Sequence, residues 1–149
     1  MDDALKSFDE AIKLQPENGS SYAVRAYAWS AKGDHVKMMQ DLDTAVKLSP
    51  DVSFVWSYRA WLLATSPNAD HCDDKLAVAA ATKAMELPKG GEFQILDVLA
   101  AAYAEISDFE QAVKWQTKVV SMLPPTQRVD YESRLALYLE RKPYREPSP

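Results

Sequence analysis

Residues 11–16, Ala11-Ile12-Lys13-Leu14-Gln15-Pro16, return 34 positions later as Ala45-Val46-Lys47-Leu48-Ser49-Pro50. The stretch that follows returns as well: Tyr22-x-x-Arg25-Ala26 becomes Trp56-x-x-Arg59-Ala60. A fixed period of this length means an array of two-helix units, each burying its apolar face on the next rather than around a single centre. Such an array offers long surfaces more readily than catalytic pockets.

The 149 residues hold about four such units and a cap. Apolar residues make up 47% of the chain, enough for buried faces. The net charge of −5 disfavours both duplex nucleic acid and an anionic lipid surface as partners. No apolar run approaches the roughly 18 residues of a membrane span. Cys72 stands alone, so no internal disulfide can form. The acidic start Met1-Asp2-Asp3-Ala4 has no signal-peptide character, which points to the cytoplasm. The chain also opens in mid-repeat, so an upstream targeting segment would be compatible with it.

The period divides the chain into an array over 1–142 and an extended tail over 143–149. Residues 1–18 are a half repeat, one helix with Ala4, Phe8 and Ala11 on one face and Pro16 ending it. Residues 19–52 are a full repeat. Tyr22, Ala26 and Trp29 mark its first helix, Gly33-Asp34 its turn, and Met38, Leu42 and Ala45 its second helix. Residues 53–91 repeat the pattern with Trp56, Ala60 and Leu63, then Ala77, Ala81 and Ala84. The extra length lies in Ser66-Pro67-Asn68-Ala69-Asp70-His71, a turn composition. Asp73 is the expected N-cap of the helix that follows.

In residues 92–125, Leu96, Leu99, Ala100 and Tyr103 precede Ala112, Gln116 and Val119, and Pro124-Pro125 stops the helix. Ser107 with Glu110 reads as a capping box. Gln116 is a poor core residue, and Trp115 is placed to share its role. Residues 126–142 read as a capping helix, with Tyr131, Leu135, Tyr138 and Leu139 inward and Glu132, Arg134, Glu140 and Arg141 outward. Three prolines keep the tail Lys142-Pro143-Tyr144-Arg145-Glu146-Pro147-Ser148-Pro149 from forming a helix.

These spacings resemble the tetratricopeptide repeat (TPR) family over nearly the whole chain. Leu63-Ala64-Thr65-Ser66-Pro67 with Lys75-Leu76-Ala77-Val78, and Arg134-Leu135-Ala136-Leu137-Tyr138 with Lys142-Pro143-Tyr144-Arg145, are similar to a bacterial subclass. In that subclass the array is often the C-terminal part of a larger protein. The resemblance implies an all-α fold, a right-handed α-solenoid of antiparallel helix pairs, with about eight helices including the capping one. It also implies that the first helix of each unit lines a concave face that binds peptides or protein surfaces. Chaperone-tail recognition is not expected, because the Lys, Asn and Arg of that clamp are replaced here by Ala23, Val24, Tyr27, Phe54 and Tyr58.

Carried onto this chain, the concave positions include Tyr27, Ser30, Phe54, Ser57, Trp61, Gln94, Asp97 and Glu105. Tyr27 and Trp61 hold equivalent places among small residues, which suits a peptide groove, because rings bury much area at low entropy cost. The alternative is that both rings pack on neighbouring helices. Asp97 and Glu105 give the expected ligand, a protein or peptide, an apolar and basic character. Arg25 and Arg59 share a repeat position, and Asp41 is within reach of either as a structural pair.

Catalytic residues, a metal and a cofactor are not expected. Asp70-His71-Cys72-Asp73-Asp74 lies on one short segment, from which side chains rarely converge on one ion. Nothing orients Cys72 and His71 as a nucleophile and base. The alternative function is structural: Leu5, Phe8 and Ile12 form an apolar edge that upstream chain or a second copy would cover, giving an assembly module or homo-oligomer.

Overall fold

A computed structural model describes residues 2–68, 72–87 and 91–147. Among these residues it is all-helical, with eight α-helices: α1 (Asp2–Leu14), α2 (Gly19–Ala31), α3 (His35–Leu48), α4 (Ser53–Thr65), α5 (Asp74–Glu86), α6 (Glu92–Glu105), α7 (Phe109–Met122) and α8 (Val129–Leu139). A 3-10 turn, Pro125–Gln127, precedes α8. No described helix is long and apolar enough to cross a membrane.

Helices α2 and α3, α4 and α5, and α6 and α7 pair as hairpins. The leading helices α2, α4 and α6 also touch in succession and build one continuous wall. Helix α1 flanks this stack against α2, and α8 flanks it against α7. The architecture is therefore a helical-repeat array. Alanine dominates the seams: Ala26, Ala60, Ala77, Ala81, Ala102 and Ala112 are fully buried and let the helix backbones approach closely. Met38 is buried too, packed with Leu42 and Leu62.

The 34-residue period of the sequence is repeated in a hydrogen bond. The Tyr22 hydroxyl donates to the Pro16 carbonyl at 3.1 Å, and the equivalent Trp56 Nε1 donates to the Pro50 carbonyl at 2.8 Å. Each ring thus ties the start of a leading helix to the proline that ended the helix before it. Gly19 opens α2 at a close approach, where a Cβ would lie 2.5 Å from the Ala45 carbonyl oxygen.

Turns follow one chemistry. Gly33 adopts φ +75° after α2, and Asp34 then caps α3 by accepting from the Lys37 amide. After α6 the same arrangement uses Ser107 at φ +63°, with Asp108 accepting from the Gln111 amide. This corrects the expected capping box. Ser107 holds the left-handed place of Gly33, so the cap falls to the next residue. Asp73 caps α5 through the Leu76 amide, as expected.

Two further expectations are corrected by packing. On α8, Arg134 faces inward and is buried, while Leu139 is 64% exposed. The helix is rotated so that Tyr131, Arg134 and Tyr138 meet the stack, because α6 offers Asp97 as a partner there. At the other flank, Leu5 is 6% exposed, and Phe8 and Ile12 are half-buried. The expected open stripe on α1 is thus partly closed within the chain, since α1 lays its apolar side on α2. Arg25 pairs with both Asp41 and Asp9, each at 2.7 Å, whereas Arg59 takes Asp43 rather than Asp41.

Candidate functional site

The wall formed by α2, α4 and α6 carries the concave positions expected from the sequence. Tyr27 and Phe54 remain 44% and 41% exposed, although their helices are otherwise well packed. They face an open cleft of about 540 Å³. Ser57, Tyr58, Trp61, Gln94, Ile95 and Val98 complete most of its lining. The rings are clustered: Phe54 and Tyr58 lie 4.5 Å apart between centroids, and Tyr27 meets Tyr58 edge-on at 6.4 Å. Ser30 lies just outside, in a small cleft with Tyr27, Thr65 and Glu146. The structure thus brings Tyr27, Phe54, Ser57, Trp61 and Gln94 together around one space.

Asp97 and Glu105 do not join them as open acids. Asp97 is 7% exposed, and its carboxylate accepts from Arg134 Nε and Nη2, both at 2.9 Å, and from Gln116 Nε2 at 2.9 Å. Burial pushes the Asp97 carboxyl above its ordinary range, while the Arg134 charge and the Gln116 hydrogen bond pull the other way. Gln116 is fully buried for this reason: it bridges Asp97 and the Tyr131 carbonyl, a polar task rather than the bulky apolar one expected. Glu105 accepts from Arg145 Nη2 at 2.7 Å. Neither acid is left over for a basic ligand.

Arg145 belongs to the segment after α8, which folds back across the wall. The Glu146 amide donates to the Thr65 carbonyl at 2.8 Å, and Arg145 Nη1 donates to the Ala64 carbonyl at 3.2 Å. Trp61 Nε1 donates to Glu146 Oε1 at 3.0 Å, and the Tyr144 ring lies 5.8 Å from the Trp61 ring. Arg134 sits among the rings of Tyr131, Tyr144 and Trp61 at 4.6, 5.4 and 5.5 Å. Residues 143–147 therefore occupy one side of the groove as an extended peptide would, through backbone bonding, a ring contact and an ion pair. Glu146 forms one wall of the open cleft.

Sequence reasoning missed this segment, although Tyr144, Arg145 and Glu146 stand between two prolines and offer an aromatic, a cation and an anion in succession. It also missed Ile95 and Val98 as lining, because they lie outside the repeat positions assigned to the concave face, and it named Tyr58 only as a replaced clamp position. Burial pushes the Cys72 thiol up to about 11, helped by the charge of Glu105. Among the described residues no three His, Cys, Asp or Glu side chains are grouped to hold a metal. Asp70 and His71 of the segment weighed for metal binding lie outside the described residues. No protein-family model matches the chain.

Proposed function

We propose that the chain is a non-enzymatic scaffold, a TPR-type array that recruits a protein or peptide through the groove on the α2, α4 and α6 wall. The observation that carries this reading is the chain's own segment 143–147 seated there by peptide-like contacts, beside a cleft that leaves Tyr27 and Phe54 exposed. Large, half-exposed rings next to small polar side chains are the usual anchors of a recruiting surface. A cleft of this size suits one or two side chains of a partner rather than a whole helix.

The edge-assembly alternative has less behind it, since Leu5 is already buried. The expected basic preference of the ligand cannot rest on Asp97 and Glu105, which arginines of the chain already hold.

Peptide display against the folded chain, followed by mapping of the selected peptides with amide and side-chain NMR shifts, tests the proposal. Perturbations should cluster at Tyr27, Phe54, Ser57, Trp61 and Gln94. Clustering on the outer helices α3, α5 and α7, or selection of no binder, would sink it. Tyr27→Ala/Phe54→Ala should weaken the selected peptides by about 2 kcal/mol without unfolding the array.

A further inference from the structure

The open cleft has a definite electrical character. Four aromatic side chains turn rings toward or along it, and Glu146 adds a carboxylate. No basic residue lines it among the described residues. The acids of the wall itself already have cations of the chain beside them: Asp97 has Arg134, Glu105 has Arg145, and Glu92 has Lys118. Glu146 is different. Its Oε1 accepts from the neutral Trp61 indole, and no basic group pairs with it among the described residues. The Tyr27 hydroxyl is pushed up by burial first and by the Glu146 charge second, so the carboxylate is felt across the cleft.

We propose that this cleft binds a cation carried on an apolar stem, such as a lysine or arginine side chain of the recruited partner. This rests on the reading of the array as a recruiting scaffold and names the chemistry of its pocket. The aromatic faces attract positive charge through their quadrupoles while covering the stem. Glu146 supplies the counter-charge, so the cation loses water without losing a partner. The volume of about 540 Å³ holds such a side chain with its neighbouring backbone. Because Glu146 is anchored by its own amide to Thr65, the folded-back segment is part of the pocket rather than an obstruction.

The test compares two probes that differ in charge, 4-phenylbutylammonium and 4-phenylbutan-1-ol, titrated into the full chain. The Trp61 indole N–H and the Tyr27 and Phe54 ring signals report binding. The amine should bind about tenfold more tightly than the alcohol. Glu146→Gln keeps an oxygen to accept from Trp61 and a backbone N–H to donate to the Thr65 carbonyl, so the segment stays seated. That variant should lose most of the preference and bind the alcohol as before. Equal binding of the two probes, a preference unchanged in Glu146→Gln, shifts outside the cleft, or no shift at about 10 mM of either probe would each overturn the assignment. Should display-selected peptides still map to the groove while the amine shows no advantage, the recruiting role stands and the cation pocket falls. A preferred amine with peptides mapping elsewhere would mean the reverse.

Discussion

The α1 flank and the α8 flank solve the same problem with different physics. Each covers the open side of a repeat pair. Helix α1 does so as a plain amphipathic cover, with Leu5 buried, and Phe8 and Ile12 half-buried, against the stack. Its charged tie to α2 among the described residues is Asp9 to Arg25, and the Asp9 side chain is 49% exposed. Helix α8 instead sends Arg134 inward to Asp97, with side-chain exposures of 11% and 9%. It then continues into a segment that reaches back to α4. A water-screened pair adds little stability, whereas a buried one commits both charges to each other. The α1 flank should therefore tolerate loss of its ion pair, and the α8 flank should not.

Asp97→Ala is the largest expected break. It leaves Arg134 buried without a counter-charge and Gln116 without one of its acceptors, at a cost of about 3–5 kcal/mol in chemical unfolding. Asp97→Leu/Arg134→Met should recover most of that loss, because the charges are removed together. If Asp97→Ala alone unfolds like the wild type, the two flanks do not differ in kind.

Next comes removal of residues 143–149. The helices should persist by circular dichroism, with a loss of about 2–3 kcal/mol from uncovering Trp61 and freeing Glu105. Wild-type stability in that truncation would show that the folded-back segment contributes nothing to the α8 side.

Tyr138→Phe sharpens the comparison in the opposite direction. Tyr138 is fully buried, and its hydroxyl meets no hydrogen-bond partner among the described residues. Removing that oxygen should be neutral or stabilise by about 1 kcal/mol, read as an equal or raised midpoint in urea. The smallest effect belongs to the α1 flank. Asp9→Ala should cost less than about 1 kcal/mol, with the loss shrinking in added salt. A loss matching that of Asp97→Ala would remove the distinction.

The same contrast marks what was legible in the sequence. Helix pairs, turns and the leading-helix wall follow from periodic apolar and small residues, so Tyr22, Ala26, Pro16 and their equivalents announced them. Tyr27, Phe54, Ser57, Trp61 and Gln94 were assignable to one face only through the resemblance, which says which positions of a leading helix line the concave side. The α8 network was not legible. Arg134 sits at a position that polarity alone assigns to water, and only the presence of Asp97 and Gln116 across the seam turns it inward. Partners 37 and 19 residues apart obey no repeat period. The role of Glu146 was hidden similarly, since a proline-rich stretch reads as unstructured until Trp61 and Thr65 meet it 85 and 81 residues away.

Those long reaches have a consequence for cooperativity. In a purely linear array, unfolding can start at either flank and travel unit by unit. Here the extended segment after α8 is latched to α4, so α4 through α8 form a closed loop of contacts that must open together. Hydrogen exchange should therefore find the last five helices sharing one opening energy, while α1 frays on its own.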